Sequence, residues 1–160
     1  MTMSDTRTIL RSETSQELSR ELAALRQRIT DNMREAGEWA TGKTAESMVV
    51  EIRDESDLTR GLLYGRAFFG ALETGSRPWA KPTKRVPRAF ANTIQEWINA
   101  KNLDLNAWAV AYTIMHEGSS LYRRGGRSDI YSNEIPVTLD NLAERLSVAY
   151  IKHIALNSNL

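Results

Sequence analysis

Cysteine is absent from this chain. That excludes a disulfide scaffold and thiolate metal sites, and suits an intracellular protein or one indifferent to redox state. Histidine is scarce: His116 and His153 stand near the ends of different predicted helices, with no second ligand at metal spacing. They read as surface or helix-end residues, and no metal site is expected. No apolar run approaches the roughly 18 residues that span a bilayer. The first thirty residues lack the apolar centre of a signal peptide, so the expectation is no membrane association and synthesis into a cytoplasm, where the chain stays until it assembles with something. Excess charge is missing too: 21 Lys and Arg against 20 Asp and Glu leave +1 over 160 residues, which offers no broad footprint for a polyanion. No serine, histidine and acid, and no carboxylate pair, are spaced as a nucleophile or an acid/base couple would be. The expectation is therefore no catalytic residue, no cofactor and no enzyme.

Proline is also sparse, and its placement is informative. Three of the four prolines, Pro78, Pro82 and Pro87, fall in one stretch from Phe68 to Arg88. After Glu73-Thr74-Gly75-Ser76 this stretch carries Arg77, Lys81, Lys84, Arg85 and Arg88 without an acidic residue. Proline fixes φ and withholds a donor, so the segment reads as an extended, semi-rigid basic arm over residues 74–88. Trp79, in its middle, needs either a pocket in its own domain or a surface on another molecule.

The length suits one domain with a single core and an appendage. Residues 1–13 read as a polar, mobile lead, and Thr14-Ser15-Gln16-Glu17 as a capping box that starts a helix. Leu18, Leu22, Leu25, Ile29 and Met33 give that helix a narrow apolar stripe, with Arg20, Glu21, Gln27, Arg28, Asp31 and Arg34 expected in solvent. Gly37 and Gly42 mark its end. Met48–Arg53 and Leu58–Tyr64 read as a hairpin around the turn Asp54-Glu55-Ser56-Asp57. Arg66–Leu72 reads as a short helix. Further helices are expected over 88–100, over 105–116 with Trp108, Tyr112 and Met115 buried and Gly118 as the C′ residue, and over 137–155 with Leu139, Leu142, Leu146, Ala149 and Ile154 on one face. A loop over 119–136 carries Tyr122, Arg123 and Arg124, and is expected to add little to a core. The fold class is α+β: an amphipathic helix on a small antiparallel sheet, then a helical C-terminal half with long loops. A core over 14–100 and a helical extension over 101–160 are the expected divisions.

GEWATGKT, from Gly37 to Thr44, matches the phosphate-loop pattern G-x-x-x-x-G-K-[ST]. That loop requires a buried parallel strand before it and a helix after it. Here a charged helix precedes and a β-rich run follows, so nucleotide binding is the most distant of three readings.

The order of a helix, Thr41-Gly42 followed by Ser47 and a hairpin, then Glu73-Thr74-Gly75 with Pro78 shortly after, then a helix, resembles the tail-completion and head-to-tail connector proteins of tailed bacteriophages. In that family the second motif is a glutamate, an aromatic, glycine and threonine; here it stands as Leu72-Glu73-Thr74-Gly75. The likeness covers about residues 16–100. It implies a structural virion protein that forms a homo-oligomeric ring in the neck or upper tail, between portal or adaptor and tail proteins. It also implies assembly in the host cytoplasm and a channel that could bring some arginines to packaged DNA. Arg77, Trp79, Lys81, Arg85, Tyr122, Arg123 and Arg124 are the candidate interface residues. The alternative is a DNA-binding module that uses the helices at 90–116 and the basic loops.

Overall fold

The computed structural model describes residues 3–56, 58–67 and 69–157. Its elements run α1 (Met3–Glu35), α2 (Lys43–Glu46), β1 (Val49–Asp54), β2 (Thr59–Tyr64), α3 (Ala71–Thr74), α4 (Arg88–Ala100), α5 (Ala107–Glu117), α6 (Ser120–Arg123) and α7 (Glu134–Asn157). The fold is α+β, with one two-stranded antiparallel sheet among the described residues.

α1 is longer than expected, and the capping box is not its start. Thr14 lies inside the helix, where its hydroxyl donates to the Leu10 carbonyl at 2.8 Å, four residues back. A threonine that finds the i−4 carbonyl is accommodated in a helix and does not cap it. The expected stripe does face the core: Leu25, Ile29 and Met33 are buried with Ala45, Met48 and Ile130. The hairpin pairs Val50 with Leu63 and Ile52 with Gly61. Gly61 lets α1 come close, since a Cβ there would lie 2.7 Å from Leu22 Cδ1 and 3.1 Å from Leu18 Cδ2. At the far end of the hairpin, Asp54 accepts from the Ser15 and Thr59 hydroxyls, which ties the strands to the first third of α1. Glu55 N–H closes the turn on the Leu58 carbonyl; Asp57, and Phe68 in the expected short helix, lie outside the described residues. Of that helix over 66–72, one helical turn forms, shifted to Ala71–Thr74.

The face of α1 expected to be solvated is in part covered. Glu21 is 1% exposed. α7 runs along α1, and a polar seam joins them: Arg28 donates to Glu134 at 2.8 Å, to Thr138 at 2.7 Å and to Glu21 at 3.1 Å, while Asn141 donates to Glu21 at 3.2 Å. Asn32 adds a bond to the Ile130 carbonyl, and Arg145 lies 3.7 Å from Glu21. Every charge taken from water here has a partner of opposite sign, the condition under which buried ions are tolerated. This rotation of α7 also corrects the expected stripe. Leu142, Leu146 and Ala149 are half-buried, but Leu139 and Ile154 are exposed because the seam, not the leucine stripe, meets α1.

α4 and α5 form a second helical pair around Ala91, Ile98, Ala107, Ala111 and Met115. Asn102, at φ 51°, turns the chain between them, and Leu103 N–H returns to the Ile98 carbonyl. Lys101 reaches the Gly37 carbonyl and Lys43 lies 3.5 Å from Glu96, so this pair sits by the C-terminal end of α1.

Candidate functional site

The basic arm leaves the body of the protein at a junction built around one carboxylate. Glu73, at 3% exposure, lies in the single turn of α3. Its Oε1 accepts three successive backbone N–H groups, from Ile130 at 2.9 Å, Tyr131 at 2.7 Å and Ser132 at 2.9 Å. The Ser132 hydroxyl donates to Oε2. Burial acts to raise the Glu73 pKa; the bonds from Ser132, Tyr131 and Ile130 outweigh it and hold the carboxyl below its ordinary value. The same burial, with the Glu73 charge nearby, pushes the Tyr131 phenol up.

The next residues are held as closely. Gly75 has φ 71°, and a Cβ there would lie 2.3 Å from Tyr122 N. Ser76 and Ser119 pair in both directions: Ser119 N–H donates to the Ser76 carbonyl at 2.8 Å, and Ser76 N–H donates to the Ser119 hydroxyl at 3.0 Å. Gly126, at φ 83°, brings its backbone against Glu73, and Arg127 N–H donates to the Glu73 carbonyl at 2.8 Å. The Arg127 guanidinium then grips Asp129 with two bonds of 2.6 and 2.8 Å and holds its pKa down to about 2. The loop over 119–136, expected to add little to a core, supplies Ile130 at 0% exposure. Anchored at both ends by backbone bonds, it is a plug.

Beyond the junction the arm lies against its own domain. Trp79 N–H donates to the Met115 carbonyl at 2.9 Å, and its ring packs on Phe90 with centroids 5.3 Å apart, leaving the residue 38% exposed. Thr83 meets the Met115 sulfur. Arg77, Lys81, Lys84, Arg85 and Arg88 are all exposed, and none has an ion-pair partner among the described residues. Tyr122 lies over Gly118. Arg123 pairs with Glu117, and Arg124 bonds the Ser120 carbonyl. The structure thus brings Tyr122, Arg123 and Arg124 to the base of the arm that carries Arg77, Trp79, Lys81 and Arg85, while Arg123 is already neutralised.

Thr41, Gly42 and Ser47 form the turn before the hairpin. Gly42, at φ 75°, lies close to the Trp39 ring, and the Arg34 guanidinium carbon sits over that ring 4.5 Å from its centroid. A helix precedes this turn, the helix after it is four residues long, and Lys43 points to Glu96. The strand–loop–helix context of a phosphate loop is not formed among these residues, so the match of residues 37–44 to that pattern is one of letters alone.

Two further expectations change. Trp108 and Tyr112 are 51% and 48% exposed, not buried; only Met115 of that trio is in the core. Tyr112 stacks on His116, with centroids 4.2 Å apart. His153 lies 3.2 Å from Glu13 at the end of the seam.

Reasoning from sequence missed Ser76, Ser119, Gly126, Ile130 and Ser132. A signal was present in the repeated Gly-Ser pairs, Gly75-Ser76 and Gly118-Ser119, which meet across the junction. No family model, no curated protein and no solved structure matches this chain. No helix among the described residues is long and apolar enough to cross a membrane.

Proposed function

We propose that this chain is a structural, non-catalytic virion protein of a tailed bacteriophage, forming a homo-oligomeric ring in the neck or upper tail that joins head and portal to tail. The observation that carries the reading is the arm: five cations with no ion-pair partner among the described residues, on a proline-stiffened segment whose base is locked by Glu73, Gly75 and Ser76. A segment whose backbone is held at its base and whose cations are exposed suits contact with a neighbour, because little backbone ordering remains to oppose binding. The likeness to connector proteins in Thr41-Gly42, Ser47 and Glu73-Thr74-Gly75 supports the same reading. Its partners are further copies of itself, portal or adaptor proteins and tail proteins, and its location is the virion after assembly in the host cytoplasm.

A second reading, DNA binding through α4, α5 and the basic segments, draws on the exposed Trp108 and Tyr112 near the unpaired cations. Base-specific recognition is poorly served there. Asn106, the polar residue at the start of α5, commits its Oδ1 to the Ala109 N–H at 3.0 Å, so its amide no longer offers donor and acceptor together to a base edge, and the next residues are Ala107, Trp108 and Ala109. What remains is contact with phosphates, which a ring around DNA would also make.

Mass measured by light scattering, across protein concentration and salt, with and without duplex DNA, tests the two readings. A closed oligomer that ignores DNA is expected. A monomer or dimer that shifts onto DNA with a steep salt dependence would replace the connector reading. In particles, Trp79→Ala with Arg85→Ala is expected to leave the isolated protein folded and to block its incorporation.

A further inference from the structure

Charge is divided unevenly along the chain, and the division is spatial. Residues 76–124, which comprise the arm, α4, α5 and α6, hold eight Lys and Arg against three Asp and Glu; the other residues hold thirteen against seventeen. Opposite net charges at two parts of one small molecule favour contact between the basic part of one copy and the acidic part of another, and such a contact repeated from copy to copy runs head to tail. Charge sets orientation and encounter; a specific contact also needs an apolar centre.

Both components are present at each end. On the basic side, Trp108 and Tyr112 stand one turn apart on the open face of α5. The arm that carries Lys81, Lys84 and Arg85 crosses the same helix at Met115. On the acidic side, Val137, Asp140, Glu144, Val148 and Ile151 follow at spacings of three, four, four and three, which is one face of α7. Val137, Val148 and Ile151 are 46%, 62% and 65% exposed. Asp140 and Glu144 are exposed between them and have no ion-pair partner among the described residues.

The geometry points to one contact: the arm and the aromatic face of α5 in one copy dock on the acidic, apolar face of α7 in the next copy. This rests on the homo-oligomeric reading above and names the two surfaces that it requires. A helix of this length is about 36 Å long and about 10 Å wide, so the face offers on the order of 360 Å². A stable pair buries roughly 800 Å² per partner. Two free copies therefore associate weakly and with strong salt dependence, and the contact strengthens when a ring closes and each copy is held at both ends.

Sedimentation velocity on the full chain over a range of concentrations, at about 0.05 M and about 0.5 M salt, tests this with three proteins. They are the wild type, Lys84→Glu with Arg85→Glu, and Asp140→Lys with Glu144→Lys. These four side chains are exposed, so the variants are expected to keep the wild-type melting temperature, which circular dichroism checks. The wild type should associate with rising concentration, and each double variant alone should associate about tenfold more weakly or worse. An equimolar mixture of the two variants should recover association, because each reversed surface then meets its reversed complement. Association unchanged in both variants overturns this pair of surfaces while leaving a ring built through other faces. A wild type that stays monomeric at every concentration overturns the contact and self-association together. A wild type that binds duplex DNA instead, and loses it only with Lys84→Glu and Arg85→Glu, assigns the basic face to nucleic acid and overturns the proposal.

Discussion

Glu73 and Arg77 are four residues apart and live under opposite rules. Glu73 is buried, charged and fully bonded: three amides and a hydroxyl surround its carboxylate. Arg77 and the four cations after it are exposed and have no ion-pair partner among the described residues. A buried charge is retained only when its bonds replace water, so Glu73 specifies one arrangement of the loop over 126–133. An exposed charge specifies nothing inside the molecule and remains available outside it. The short segment between them, Thr74-Gly75-Ser76, is where a structural element becomes a presented one.

The comparison is broken most severely at Gly75. Gly75→Ala would place a methyl group 2.3 Å from Tyr122 N in a positive-φ conformation. About 4 kcal/mol of stability should be lost, or roughly 12 °C in melting temperature, as seen in a thermal scan. Glu73→Ala leaves three amides, that of Ile130 buried, without this acceptor and should cost about 3 kcal/mol, measured by urea denaturation. Acid sharpens the same point. The folded-state pKa of Glu73 lies below its unfolded value, so its contribution is complete above the unfolded pKa of about 4.3 and is lost as pH falls through the folded pKa. Glu73→Gln should flatten the acid limb of the stability curve below about pH 5; an unchanged slope would mean that other carboxylates dominate it. At the other extreme, Lys81→Ala, Lys84→Ala and Arg85→Ala together should change stability by less than about 0.5 kcal/mol. A larger loss would mean that the arm's charges are structural after all.

How much of this was legible in the sequence follows the range of each interaction. α4 runs from Arg88 to Ala100 as its spacing of Phe90, Ile94, Trp97 and Ile98 requires, and Gly118 ends α5 at φ 84°. The hairpin formed within a residue of its expected limits. These are local effects. What was illegible depends on partners 57 to 110 residues away. Arg28 looks like a solvated helix residue until Glu134 and Thr138 are brought to it, and Ile130 looks like a stray apolar residue in a polar loop until Glu73 pins that loop down. Thr14 misled for a different reason, because a hydroxyl that caps a helix also fits inside one. The candidate arm was visible through its prolines and cations, but its anchor was not, since nothing in Glu73 alone reveals that amides from residues 130–132 will reach it.

That anchor also imposes an order on the life of the protein. The arm emerges from a ribosome long before the residues that fix its base: Ser119 lies 43 positions after Ser76, and Ser132 lies 59 after Glu73. An incomplete or nicked chain that lacks the segment around Ser132 carries all the arm's charges but none of the carboxylate's bonds. Its arm keeps the Ser76–Ser119 and Trp79–Met115 bonds but has lost the contacts that fix α3 at its base. If the arm joins neighbours as proposed, that competence waits on synthesis through Ser132, and a shorter growing chain presents the cations without the carboxylate's anchor.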